Sequence, residues 1–207
     1  MDRIYGPQWQ IYDATRKFYL LGRDTLIAGL APAPDDRILE VGCGTGRNLI
    51  VAARQHPRAQ FFGIDISREM LETAQSSVLN AGLGGSIRFA QADASDFDPK
   101  SLFGIEGFQH VFFSYSLSMI PAWHRALDRA VAALVPGGAL HIVDFGNQAD
   151  LPPWFKTALR AWLARFHVTP RDDLRRQLGY IAGRKATLWF QRPYRGYAQY
   201  AVLRLPR

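Results

Sequence analysis

The sequence predicts an α/β protein of one domain, built on a doubly wound and mostly parallel sheet. Three observations point there. From Arg37 to Phe145, short apolar runs alternate with longer segments of helical periodicity, and strands alternating with helices pair in parallel through right-handed crossovers. A glycine-rich turn, Gly42-Cys43-Gly44-Thr45-Gly46, directly follows the first of those runs. The 207 residues are 48% hydrophobic and 21% charged, which suits one ordinary layered core and leaves no room for two.

Each element has its own signal. Arg37-Ile38-Leu39-Glu40-Val41-Gly42 reads as a buried strand, with a helix over 46–56 after it. Gln60-Phe61-Phe62-Gly63-Ile64-Asp65 is a second strand. Ser67 is placed to cap a helix running to Asn80, because Met70, Leu71, Ala74, Val78 and Leu79 recur at helical spacing. Ile87-Arg88-Phe89-Ala90 forms a third strand and 108–114 a fourth. A helix over 121–134 stops at Pro136-Gly137-Gly138, and Ala139 to Phe145 is the fifth strand. The 186–204 region places Pro193 and Gly196 between two β-rich runs, which predicts a closing hairpin and brings the sheet to seven strands.

Two amphipathic helices are expected outside that core, over 8–30 and 150–166. In the second, Trp154, Phe155, Ala158, Leu159, Trp162, Leu163 and Phe166 share a stripe, and Lys156, Arg160 and Arg165 lie off it. That pattern fits an interfacial membrane contact, and it equally fits a helix laying its stripe on the sheet. The single domain thus divides into an N-terminal helical lid (1–33), a central core (34–146) and a basic, aromatic C-terminal part (147–207).

Charge is unevenly spread. The net charge is +7. Residues 1–150 carry 13 Lys+Arg against 16 Asp+Glu, a balance of −3, whereas residues 151–207 carry 12 against 2, a balance of +10, together with ten aromatics. A basic aromatic surface meets an anionic partner, a membrane or a nucleic acid, unless it is simply solvated. The lone cysteine, Cys43, excludes an internal disulfide and suits a reducing compartment. Met1 to Pro7 shows no apolar run behind a basic leader, and no stretch is long and apolar enough to span a bilayer. A cytoplasmic protein is expected. His56, His110, His124, His141 and His167 are dispersed without ligand spacing, so no metal site is expected.

The chemistry gathers at the glycine-rich turn. Glycines between a strand and a helix allow a tight bend and a close backbone approach, and the helix N-terminus adds amide donors and partial positive charge. Asp65, nineteen residues past Gly46 and at the end of the second strand, can accept both hydroxyls of a ribose. A nicotinamide enzyme would need G-x-G-x-x-G, but the sixth position here is Arg47. The spacing is G-x-G-x-G, with Glu40 two residues before the first glycine.

With that spacing the sequence resembles the class I S-adenosylmethionine-dependent methyltransferases. Four ordered blocks carry the resemblance between Arg37 and Phe145: Leu39 to Gly46, Gly63-Ile64-Asp65-Ile66-Ser67, Gln91-Ala92-Asp93-Ala94 and Leu134-Val135-Pro136-Gly137-Gly138. The implied fold is a Rossmann-like doubly wound sheet of seven strands, mostly parallel, with a C-terminal antiparallel hairpin and helices on both faces. The implied cofactor is S-adenosylmethionine, leaving as S-adenosylhomocysteine. By the resemblance Asp65 would hold the ribose, Ile66 and Met70 would flank the adenine, and Asp93, with Ala94 beside it, would accept from the adenine amino group. Glu40, Gly42 and Gly44 would surround the methionine portion, and Cys43 and Ser114 complete the expected cofactor contacts.

Methyl transfer to an amine needs in-line placement and exclusion of water more than a catalytic triad, and no triad is visible. The acceptor is expected above Ser114-Tyr115-Ser116-Leu117-Ser118. Methylases of nucleobase amino groups usually carry Asn/Asp-Pro-Pro-Tyr/Phe there; Phe113-Ser114-Tyr115-Ser116 departs from it, which counts against a nucleic-acid substrate. Tyr115 is either a ring face offered to a cationic amine or a packing aromatic at a strand end. A narrower resemblance comes from Ile11 to Asp24, Tyr115 to Pro121 and Val143-Asp144-Phe145-Gly146. These segments are similar to bacterial enzymes that trimethylate the homoserine head group of diacylglycerol betaine lipids. The implied reaction is three N-methylations of diacylglycerylhomoserine to diacylglyceryl-N,N,N-trimethylhomoserine, by a protein held at the cytoplasmic membrane through its basic C-terminal part. Tyr12, Arg16 and Arg23 would close over the methionine end or the homoserine carboxylate, with Tyr12 and Tyr115 as the catalytic candidates. Two other readings stay open: a methyltransferase for phosphatidylethanolamine, a quinone precursor or another apolar molecule, and an RNA-associated binding module.

Overall fold

A computed structural model of the chain describes residues 20–207. Seven strands form one sheet in the order β3-β2-β1-β4-β5-β7-β6: β1 (Arg37–Val41), β2 (Gln60–Asp65), β3 (Ile87–Gln91), β4 (Phe108–Ser114), β5 (Leu134–Phe145), β6 (Thr187–Gln191) and β7 (Ala198–Arg204). β1 to β5 pair in parallel, and β7 lies antiparallel between β5 and β6. The chain winds outward from β1 to β3, then returns to β4 on the other side of β1. The crevice where strand order reverses therefore opens above the carboxyl ends of β1 and β4.

Helices cover both faces because the central strands are apolar on both. Leu39, Val41, Phe62, Ile64, Val111 and Phe113 enter one core with α4 (Pro99–Phe103), α5 (Trp123–Ala132) and α7 (Leu174–Ala182). Ile38, Phe61, Phe112 and Val143 enter the other with α1 (Arg23–Leu30), α2 (Arg47–Gln55), α3 (Arg68–Asn80) and α6 (Pro153–Ala164). Buried runs of this kind are what a parallel sheet with two covered faces requires.

Several expected boundaries move. No helix spans 8–30 as a unit: Leu20 to Gly22 turn, α1 starts only at Arg23, and 8–19 lie outside the described residues. Gly22 takes φ 87 at the cap, and a Cβ there would lie 3.3 Å from Val143 Cγ2. The helix expected over 121–134 ends at Ala132 and β5 already begins at Leu134, so Pro136-Gly137-Gly138 lies inside the strand. The pairing with β4 slips between Phe108 and His110, and a bulge is where a strand tolerates a residue without an N–H. Sequence reading missed α4 and α7. α4 has five residues, too few for a period. α7 does carry a legible stripe, Leu174, Leu178 and Ala182, all buried.

Candidate functional site

The first loop is shaped by three left-handed glycines, Gly42, Gly44 and Gly46, with φ of 73, 51 and 77°. Side chains at alternate positions would resist that path. The N–H groups of Gly42 and Cys43 donate to Ile64 O at 2.9 and 3.0 Å, and Gly44 N–H donates to Asp65 Oδ2 at 2.8 Å. The turn is thereby tied to the end of β2. A Cβ on Gly42 would come within 2.6 Å of Ser116 Cβ, and Ser116 Oγ donates to Val41 O at 2.7 Å, so the segment after β4 seals one wall of the turn. At Gly44 a Cβ would meet nothing within 4 Å.

A cavity of about 380 Å³ opens there, bounded by the turn, the ends of β2 and β3, and the segment after β4. Arg23, Glu40, Gly42, Cys43, Gly44, Asp65, Ile66, Met70, Asp93, Ala94, Ser114 and Tyr115 all line it. Tyr12 and Arg16 lie outside the described residues. Sequence reasoning missed the opposite wall, Leu20, Met119, Ile120, Pro121 and Ala122, and also Arg47 and Asn48 at the start of α2.

The polar atoms have distinct environments. Asp65 Oδ1 also accepts from Ser67 N–H at 3.0 Å, which orients the carboxylate at the lip. Ser67 caps α3 by accepting from Met70 N–H at 3.4 Å, and Ile66, before it, is an apolar side chain left 50% exposed. Asp93 Oδ1 accepts from Ser95 N–H and Oγ–H at 2.7 and 2.8 Å. It therefore caps its turn while lining the cavity, and those hydrogen bonds hold its pKa below the usual range.

Glu40 differs. It is fully buried, and Asn48 Nδ2 donates to Oε1 at 2.7 Å, but Oε2 has no hydrogen-bond partner among the described residues. Burial pushes its pKa up to about 8, against the attraction of Arg23 and Arg47. Ser114 Oγ is likewise buried without a partner. Both residues line the cavity, and buried polar atoms without a partner among the described residues are where a polar ligand would be accommodated.

Tyr115 packs as an aromatic at a strand end and also lines the cavity. It is buried, stacks edge-on against Phe145 at 4.7 Å, and donates its hydroxyl to Leu21 O at 2.6 Å. Burial raises the phenol pKa, so its oxygen is a donor that holds the N-terminal segment, and only its ring is available to a ligand. Cys43 is buried, and burial raises its thiol pKa too. A Cβ on Gly63 would sit 2.8 Å from its Sγ, so the thiol is packing under the turn.

Residues 38–138 match the family described as a methyltransferase domain. A phosphatidylethanolamine N-methyltransferase from Cereibacter sphaeroides is 30% identical over 169 residues, covering 82% of this chain and 78% of that protein. The O-methyltransferase cnsE of Penicillium expansum is 32% identical over 154 residues, covering 73% of this chain and 54% of the fungal protein. The chain spans about half the length of the fungal relatives it matches. Among solved structures, the S-adenosylmethionine-dependent methyltransferase SibL in its apo form superposes with TM-score 0.71 at 24% identity, over 98% of this chain and 60% of SibL.

Proposed function

Since this chain belongs to the S-adenosylmethionine-dependent methyltransferases, we propose that it methylates the amino group of a diacylglyceryl lipid, converting diacylglycerylhomoserine to diacylglyceryl-N,N,N-trimethylhomoserine in three rounds. The cofactor is S-adenosylmethionine, which when bound supplies a methyl group already activated on a sulfonium. The residues fit it. Asp65 would accept from the ribose and Asp93 from the adenine amino group, with Ile66, Met70 and Ala94 against the ring. Glu40, whose Oε2 has no partner among the described residues, would meet the methionine ammonium, and the open space at Gly44 would let the ligand reach the main chain.

The chain's own work is placement. An amine attacks only as the neutral base, so a proton leaves the nitrogen before each of the three attacks, and the quaternary product carries none. Among the described residues that line the cavity none is placed as a dedicated base: Tyr115 holds its proton against Leu21 O, and Asp65 and Asp93 are assigned to the nucleoside end. Tyr115 would contribute its ring face to the alkylammonium formed, an interaction of about 0.5–2 kcal/mol. The apolar wall of Leu20, Met119, Ile120 and Pro121 excludes water and suits the glyceryl end of a lipid, and Arg23 is the cation nearest a head-group carboxylate. Tyr12 and Arg16 are proposed to complete that lid.

The observation that supports an amino-lipid acceptor is the similarity to a phosphatidylethanolamine N-methyltransferase along 82% of the chain; the homoserine head group rests on the resemblance of Ile11 to Asp24, Tyr115 to Pro121 and Val143 to Gly146. The same similarity makes phosphatidylethanolamine itself the second reading. A lipid acceptor stays in the bilayer, so the enzyme works as a peripheral protein. Incubation with labelled S-adenosylmethionine and a panel of defined lipids tests this: label in the mono-, di- and trimethylated homoserine lipid is expected. Label in phosphatidylethanolamine alone selects the second reading, and label in no lipid overturns both.

A further inference from the structure

We infer that the exposed flank of α6 is a membrane-docking surface, whose Trp154, Phe155 and Trp162 enter the interface of an anionic bilayer while exposed Arg165 meets its head groups. The inference deepens the lipid-acceptor reading and rests on it. The expected apolar stripe of this helix is divided in the structure. Leu163 is buried, and Leu159 and Phe166 pack on the core. Trp154, Phe155 and Trp162 remain 72, 37 and 36% exposed. Trp154, Ala158 and Trp162 are four residues apart and so form one ridge, with Phe155 beside it. The core therefore accounts for one edge of the stripe and leaves an aromatic edge outside. An aromatic edge continuous with a docked helix is the form of an interfacial contact.

Basic charge prevails around it, with exposed Asp150 three residues before the helix. α6 contains no acidic residue. The two acids that follow are held in ion pairs, Asp172 with Arg160 at 2.7 Å and Asp173 with Arg176 at 3.0 Å. Residues 151–207 keep their balance of +10, complementary to anionic lipid. A single-stranded nucleic acid would be met by flat rings on which bases stack, whereas Trp154 and Phe155 stand at 89° to one another, centroids 5.7 Å apart. With 12 residues the helix is too short to cross the bilayer and lies along it.

The helix is also linked to the cavity wall. Arg160 Nε donates to Gln148 Oε1 at 2.8 Å, tying α6 to the loop after β5. Beyond the helix, Thr169 N–H donates to Ser118 O at 2.9 Å, and Arg171 donates to Leu117 O, Ser118 O and Ile120 O. These residues back the wall formed by Met119, Ile120 and Pro121.

Cosedimentation of the full chain with phosphatidylcholine vesicles, and with phosphatidylcholine–phosphatidylglycerol vesicles, tests the inference with no amino lipid present. Binding to the anionic vesicles that weakens with salt is expected. The double variant Trp154→Ala/Phe155→Ala should weaken it about tenfold or more, and Arg165→Glu by about fivefold or more, with thermal midpoint and S-adenosylmethionine affinity unchanged. No binding to anionic vesicles overturns it, as does undiminished binding by the aromatic variant, or the same variants abolishing retention on an RNA homopolymer instead. Vesicle binding without methylation of any lipid leaves the surface standing and removes the acceptor reading; methylation of micellar homoserine lipid without vesicle binding does the reverse.

Discussion

Asn48 Nδ2 donates to Glu40 Oε1 at 2.7 Å, and the other oxygen of this buried, cavity-lining carboxyl has no partner among the described residues. β1 supplies the acid and the second residue of α2 supplies the amide, so the glycine turn between them sets the geometry of both.

A proton is stored at Glu40 in the free enzyme. Burial raises its pKa to about 8, so at pH 7 it is mostly neutral, and a cation brought against Oε2 favours the charged form. Cofactor binding at pH 7 should release a proton, read by calorimetry as a binding enthalpy that varies with buffer ionisation enthalpy. Affinity should rise with pH toward 8 and level off. Glu40→Gln should abolish both the proton release and the pH dependence. In the free protein the sign is opposite: with the folded pKa above its ordinary 4.5, Glu40 favours the fold below that value and progressively less as pH rises through 8.

Gly42 and Gly44 should separate folding from binding. Both have left-handed backbones, at a cost of about 1–2 kcal/mol for a side chain. Gly42→Ala also drives a Cβ to 2.6 Å from Ser116 Cβ, so its midpoint should fall by several degrees more than that of Gly44→Ala. Gly44→Ala meets open space within the cavity lining. It should lose only the few degrees that its left-handed backbone costs, yet bind S-adenosylmethionine at least about tenfold more weakly. Thermal unfolding and calorimetry on the two variants check the contrast.

Arg171 is a positioning residue for the acceptor wall. Its guanidinium donates to Ile120 O at 2.7 Å and lies over Trp123 at 5.6 Å. On the far side of the same segment Ser118 N–H donates to buried Asp144 at 2.9 Å. Arg171→Lys cannot satisfy three carbonyls from one point charge. The acceptor KM should rise about tenfold while cofactor affinity stays within twofold, on loss of about 1.4 kcal/mol. An equal loss of cofactor affinity would contradict that role.

His141 should limit acid stability. It is buried beside His110, Nε2 to Nδ1 at 3.3 Å, and burial lowers its pKa from 6.5 to about 3. The unfolded chain takes up this proton between those values and the folded chain does not. Stability should therefore fall as pH drops below 6.5, by up to about 1.4 kcal/mol per unit, and His141→Leu should flatten the slope. Urea midpoints between pH 4 and 7 measure it.

Much of the nucleoside end was legible in the residues themselves. The strand before Gly42, the acid at the end of β2 and the Ser67 cap are local features, each set by a period, a turn or a cap that needs only its neighbours. Asp93 belongs with them, since its turn is closed by Ser95 two residues on. The acceptor side was not legible in that way. Leu20, Met119 and Ile120 are ordinary apolar residues until Tyr115 ties Leu21 to the end of β4 and Arg171 holds 117–120 from more than fifty residues away.

By itself, then, the sequence determined a seven-stranded alternating fold and the glycine turn with two acids that line one cavity, because backbone conformation and hydrophobic period are properties of short stretches. Tertiary structure alone decided that Glu40 is buried with one oxygen unpaired, that Pro136-Gly137-Gly138 runs inside β5, and which edge of α6 is covered. Desolvation, strand register and burial depend on what distant segments bring against a residue, and no local pattern encodes them.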